Sequence, residues 1–242
     1  MRIAISGCQN SGKTTLLNNF KAVWPQYSTP EKTYRDLIKD NNLSHSSNST
    51  KETQLDILSF MIAQLGEYDK TSKVVYDRCP LDNLVYTLWC HEKGIEGFDK
   101  LFVEQTISLV KESMRSLDII FLLRYDPSIK IEDDGLRDTN IEYIKEIDNI
   151  FGVLSDQYTH NLSADIFFPK DDSPCIITLP TSGQHRIDII AEYIDVNGEL
   201  FGDEQSLFNP NNLDELEMLV QQQRAALDNE RKERALYEKF KI

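Results

Sequence analysis

Residues 7–14, Gly7-Cys8-Gln9-Asn10-Ser11-Gly12-Lys13-Thr14, constrain this chain more than any other stretch. They fit the pattern G-x-x-x-x-G-K-S/T. In such a loop, converging backbone N–H groups, a helix N-terminus and a lysine meet the charge of a polyphosphate. The pattern gains meaning from a strand before it and a helix after it, and both are written here. Arg2–Ser6 carries Ile3, Ala4 and Ile5, enough for a buried strand, and Thr15, Leu16 and Leu17 open an amphipathic helix over about 13–24. Gly7 and Gly12 permit torsions and a close approach that a side chain would block. Asn10, Ser11, Gly12, Lys13, Thr14 and Thr15 complete the cradle, and the Thr14 hydroxyl suits Mg²⁺. A glycine-rich turn ahead of a helix does not account for Lys13 and Thr14 together. The expectation is a nucleoside triphosphate site, with no visible motif that reads its base.

The rest of the composition limits the partners. A net charge of −14 over 242 residues disfavours a general binder of nucleic acid or of membrane surfaces, while leaving room for a local basic groove. Cys8, Cys79, Cys90 and Cys175 are scattered, without a C-x-x-C pair, and indicate neither a zinc site nor a disulfide framework. His45, His91, His160 and His185 have no ligand spacing. No apolar run reaches the ~18 residues of a membrane span, and the chain enters directly into its first strand, so the expected compartment is cytoplasmic.

Along the chain, apolar strands alternate with helical periodicities. A short segment over 26–30 suits a second strand, and Pro30 with Glu31 suits a helix start. Residues 41–50 read as a polar loop and 52–69 as a helix. Lys73–Tyr76 is a strand with Asp77-Arg78 at its end, followed by helices over 81–91 and 98–116. Asp118–Arg124 is a buried strand, 128–139 a charged loop around Gly135, and 140–160 a helix. Cys175–Leu179 is the last strand, ahead of a helix over 185–194. This order predicts an α/β fold, a mostly parallel sheet covered on both faces, with ligands beyond the strands' carboxyl ends. Residues 1–195 form the expected domain. Residues 196–242 differ: a loop leads into a long polar helix over 213–240 whose heptad spacing fails at Gln223 and Glu230. A solvated helix, a partner-binding helix and a homodimer contact all stay open there.

A triphosphate site serves a switch, a motor or a kinase. No N-K-x-D-like guanine-reading motif follows a later strand, and Val74-Val75-Tyr76-Asp77-Arg78 does not end in the paired acids of a motor. An Asp followed by Arg at this strand end suits phosphoryl transfer, Asp77 holding Mg²⁺ or its waters and Arg78 neutralising a phosphate. A helix-cap Asp beside a surface Arg is the bland alternative. Glu31 is either a helix-start acid or a general base for an acceptor hydroxyl. In the 132–138 loop, Arg137 is either a solvated cation or a lid arginine closing over a transferring phosphate.

Four segments, GCQNSGKTTLL, TPEKTYRDLI, VVYDRCPLDNLVY and DGLRDTNIEYIKEIDNIF, together resemble the small P-loop kinases grouped as an AAA-type ATP-binding domain. That group includes the ribosylnicotinamide kinase domains of bacterial NAD regulators and many phage proteins. The ending ITLPTSGQHRIDIIAEYI also fits, with Pro180 and Arg186 in the closing strand and helix. More distantly the chain is similar to deoxynucleoside and thymidylate kinases. The resemblance spans about residues 1–195 and implies a P-loop three-layer sandwich with a lid. It implies an ATP- and Mg²⁺-dependent phosphotransferase acting on a hydroxyl or phosphate of a nucleoside- or nucleotide-like small molecule. It places Glu31 and Arg35 near the acceptor, Asp77 at metal and acceptor hydroxyl, Arg78 near the phosphates, Asp82 in support of the acceptor pocket and Arg137 in the lid. Two alternatives stay open: a phage-type kinase acting on hydroxymethylated pyrimidine in DNA, which the net charge disfavours, and a non-enzymatic ATP-binding module whose C-terminal helix engages a partner.

Overall fold

A computed structural model describes residues 1–41, 43, 48–129, 131, 139–160, 164–181 and 183–201. The expected lid residues 132–138, with Arg137, and the expected helix over 213–240 lie outside the described residues. By its contacts the chain divides into a unit of Met1–Ala191 with Val196–Gly198 and a second unit of Glu192–Asp195 with Glu199–Ile242. In the second unit, an antiparallel bridge joins Ile194 to Leu200.

The first unit is built on four parallel strands, β1 (Arg2–Gly7), β2 (Val74–Asp77), β3 (Ile119–Leu123) and β4 (Cys175–Leu179), in the order β2-β1-β3-β4. The central strands β1 and β3 are buried along their whole length, β3 as its unbroken apolar sequence requires and β1 with Arg2 and Ser6 buried as well, while edge strand β4 alternates with exposed positions. Ala4, Val74, Tyr76, Ile120 and Leu122 point to one face and join the large core under α3 (Lys51–Gly66), α4 (Pro80–Glu92), α5 (Lys100–Ser113) and α6 (Ile141–His160). Alternate residues point to the opposite face, where α1 (Lys13–Val23) packs on β1 and β2 and beside α8 (Arg186–Ile190). Short helices α2 (Tyr34–Asn41) and α7 (Ala164–Phe167) complete the unit. The expected α/β sandwich holds, and every strand pairing in it is parallel.

Three local expectations are corrected. The segment 26–30 is no strand: only Ser28 bridges to Val74, because Pro25 and Pro30 bracket it and Pro30 has no N–H for a ladder. The following helix does not begin at Pro30 but at Tyr34. Thr33 sits ahead of it, and Asp36 Oδ2 accepts from the Thr33 N–H at 2.7 Å and its hydroxyl at 2.8 Å, two bonds from Thr33 to the first turn that fix the start. The last helix is shorter than 185–194, covering Arg186–Ile190 after a 3₁₀ turn at Gly183–His185. Among the described residues no helix is long and apolar enough to cross a membrane.

Candidate active site

The site forms where β1 ends. Gly7 has φ 137°, and a Cβ there would lie 2.2 Å from the Leu123 carbonyl oxygen of neighbouring β3, so only glycine lets the loop leave the sheet at this point. Gly12 precedes α1 in the left-handed region, at φ 87°. Between them the loop folds around Lys13. Its Nζ donates to the Gly7 carbonyl at 2.9 Å, to the Cys8 carbonyl and to Ser11 Oγ at 3.3 Å. Burial, and after it the nearby Arg78 charge, lowers the Lys13 ammonium to about 7. Ser11 Oγ donates to the Cys8 carbonyl at 2.9 Å, while Thr14 and Thr15 stay exposed at the head of α1.

Parallel pairing places Asp77 beside Ile5 in the register, so the end of β2 lies against the start of the loop. Asp77 Oδ2 accepts from Arg35 Nη1 at 3.2 Å, which brings the α2 arginine to the strand end. Its Oδ1 is buried and takes no hydrogen bond among the described residues. A buried lone acceptor costs roughly 1–3 kcal/mol unless something donates to it. Arg78 follows in the left-handed region at φ 79°, a strained setting for a residue with a side chain. Its guanidinium donates to the Gly7 carbonyl at 3.1 Å and to Asp82 Oδ1 at 2.7 Å, and lies 5.2 Å over the Tyr34 ring and 5.4 Å over the Tyr86 ring. Burial opposes its charge, but Tyr34, Tyr86, Asp82 and Asp77 outweigh that and hold the guanidinium well above its ordinary value.

Asp82 is fully committed. Oδ1 accepts from Arg78 and from the Gly7 N–H at 3.4 Å, and Oδ2 accepts from the Cys79 N–H at 3.1 Å, capping α4 from its first turn. It therefore positions Arg78 and the loop. Burial pushes the thiols up, Cys8 to about 11 and Cys79 to about 12, which fits small buried fillers and no nucleophile.

A cavity of about 280 Å³ gathers these parts, bordered by Asn10, Gly12, Lys13, Thr14, Arg35 and Arg78. The sequence-derived residues Gly7, Ser11, Asp77 and Asp82 lie behind this wall. Glu31 is not brought to it: it is exposed in the loop before α2. Among the described residues no group of three His, Cys, Asp or Glu side chains gathers to hold a metal. A divalent ion here would take the Thr14 hydroxyl and its other ligands from phosphates and solvent, with Asp77 reaching it at most through water.

Several residues of the site carry no local signal. Arg186 Nη1 donates to the Ser11 carbonyl at 2.9 Å across 175 residues, and its Nε and Nη2 donate to the Pro180 and Thr181 carbonyls. It ties the phosphate loop to the end of β4. Sequence alone placed Arg186 in the closing strand and helix without giving it this task. Asp148 on α6 accepts from Arg124 Nε at 3.1 Å, Arg124 Nη2 at 2.9 Å and the Tyr125 N–H at 2.7 Å, bracing α6 against the end of β3.

Fold and site together define an α/β protein with a phosphate loop at the head of α1. Residues 2–165 match the model of an AAA domain family, and the chain belongs to that family. No curated protein matches the chain in sequence. Among solved structures it is similar to a deoxyadenosine kinase from M. mycoides with products dCMP and a flexible dCDP bound, at 16% identity and TM-score 0.54 over 78% of this chain and 96% of that one. It is similar to NadR protein in complex with NR, at 16% identity and TM-score 0.56, covering 79% of this chain and 51% of NadR, so it spans about half of NadR's length. A thymidylate kinase from Candida albicans aligns at 16% identity and TM-score 0.53, over 84% of this chain and 95% of that one. At these identities the likeness is one of fold.

Proposed function

We propose that this chain is an ATP- and Mg²⁺-dependent phosphotransferase acting on a nucleoside- or nucleotide-like small molecule. The observation that carries this reading is the convergence of Lys13, Arg35 and Arg78 on one cavity at the head of α1, in a molecule whose net charge is −14. Two guanidinium groups and a lysine that a bound phosphate would charge suit a transferring phosphoryl group. In the step, an acceptor oxygen forms a bond to the γ-phosphorus while the bond to the β,γ-bridging oxygen breaks, and the acceptor's proton leaves to a base. Mg²⁺, when bound, neutralises charge on the phosphate oxygens.

Asp77 is the favoured base. Its Oδ1 takes no hydrogen bond among the described residues and its Oδ2 is oriented by Arg35, and the cavity wall must open for an acceptor hydroxyl to reach it. Glu31 would need α2 and the loop before it to move inward. The Arg137 role rests on sequence alone.

The test is an ATP-to-ADP assay with Mg²⁺ across nucleosides, their monophosphates, nicotinamide riboside and modified DNA. We expect stimulation by one small molecule. Lys13→Ala removes turnover and leaves the fold intact. Asp77→Asn lowers kcat by about 10²–10⁴-fold, while Glu31→Gln changes it little. Retained activity in Lys13→Ala sinks the site assignment, and the reverse order for Asp77 and Glu31 moves the base to the loop.

A further inference from the structure

A second cavity of about 280 Å³ shares Gly12, Thr15 and Ile129 with the phosphate cavity and runs on to Leu16, Asp126 and Arg186. Its walls are of the kind that hold a flat ring. Ile129 and Leu16 are apolar. Arg186, only 3% exposed, spends its donors on the Ser11, Pro180 and Thr181 carbonyls and so closes one end of the cavity. Thr15, Asn19 and Ser128 add neutral polar groups, and Asp126 adds the one carboxylate among the described lining residues. Its Oδ1 accepts both the Ser128 N–H at 2.8 Å and the Ser128 hydroxyl at 2.7 Å. Those two bonds hold the carboxyl below its usual range, so it is an anion at neutral pH. Its Oδ2 accepts no hydrogen bond among the described residues, although the residue is only 8% exposed. Turn formation occupies Oδ1 and leaves Oδ2 open to a ligand in the cavity.

We propose that Asp126 sets the base preference of the nucleotide site, taking the exocyclic amine of a 6-aminopurine on Oδ2. This rests on reading the adjoining cavity as a triphosphate site. With Oδ1 saturated, the carboxylate offers one acceptor, which matches a single amine better than the two-pronged N1–H and N2–H edge of guanine. A 6-oxopurine turned the same way sets its carbonyl oxygen against the anion, which rejects it by repulsion as well as by a lost bond. The residue lies two positions beyond Arg124, where no motif announces it.

The experiment measures binding of ATP, ITP, GTP and inorganic tripolyphosphate to the full chain and to Asp126→Asn. The amide keeps an oxygen for Ser128 and puts an N–H₂ donor where Oδ2 was. We expect the natural protein to bind ATP more tightly than ITP or GTP by on the order of tenfold, the worth of one charge-assisted bond. Asp126→Asn should move the ATP-to-ITP ratio by a similar factor toward ITP. Equal affinity of the natural protein for ATP and ITP, or an unchanged ratio in the variant, overturns the assignment. Tripolyphosphate separates the two levels. If it binds and the bases are not distinguished, the role of Asp126 alone falls. If neither it nor any nucleotide binds, the triphosphate reading falls and takes this proposal with it.

Discussion

Lys13 holds an ammonium in a place that penalises it. In the folded chain its value is lowered from 10.5 to about 7, by burial first and by Arg78 second. The unfolded chain therefore binds more protons than the folded one between those values. Stability rises with pH through that window, and the cost of the buried charge is fully present below it. A bound triphosphate reverses the penalty by placing anionic oxygens beside Nζ. Nucleotide binding near pH 8 should thus take up about one proton, read from the dependence of the calorimetric enthalpy on the buffer's ionisation heat. Lys13→Met should show no uptake. An enthalpy that ignores the buffer in the natural protein removes this account of Lys13. Gly7 is the other residue on which the loop depends. Ala at this position meets the Leu123 carbonyl at 2.2 Å with φ at 137°, and should cost about 3–5 kcal/mol in denaturant unfolding through combined strain and overpacking. A loss under 1 kcal/mol would show that β1 and β3 can separate at their ends.

Elements were legible where a local pattern decides them and obscure where a distant partner does. The apolar runs Ile3–Ile5 in β1 and Ile119–Leu123 in β3 mark buried strands, and the residues from Gly7 to Thr14 mark the phosphate loop, because glycines, lysine and hydroxyl all act within one short stretch of chain. The start of α2 was misread because Pro30-Glu31 satisfies the usual helix-opening pattern, yet the Thr33–Asp36 cap, three positions later, closes more donors. That shift is what leaves Glu31 outside the site. Asp82 shows the other limit: its sequence signal is that of an acid in the first turn of α4, whereas its work is to join Gly7, Arg78 and Cys79 from three directions. Asp82→Ala strands the Arg78 guanidinium in a buried setting, where the ion pair has side chains only 4% and 1% exposed. The expected loss is about 3–5 kcal/mol, with Asp82→Asn intermediate because it still accepts from Cys79. A variant Asp82→Ala as stable as the natural chain would mean that the Gly7 carbonyl and the tyrosine rings suffice to hold Arg78.

At the scale of the molecule, charge decides which acceptors can approach. The chain carries −14 overall, yet its cavity collects Lys13, Arg35 and Arg78. A small anionic or polar substrate meets mainly those local cations, because at physiological salt more distant charges are screened beyond about 8 Å. A duplex cannot confine itself to that patch. It brings a phosphate charge every ~1.7 Å of axis along a length far exceeding the cavity, and so lays most of its charge against an acidic surface. Binding of duplex DNA to the full chain should therefore be undetectable by fluorescence anisotropy at about 0.15 M salt, with or without hydroxymethylated pyrimidines. Nucleoside triphosphates should bind under the same conditions. The salt series sharpens the distinction: a protein that grips the backbone loses affinity steeply and linearly on logarithmic axes as salt rises, whereas a cavity holding one small ligand responds with the shallow slope of a few ion pairs. A steep slope with modified DNA would require a basic groove extending beyond this cavity, and would move the acceptor from a metabolite to a polymer.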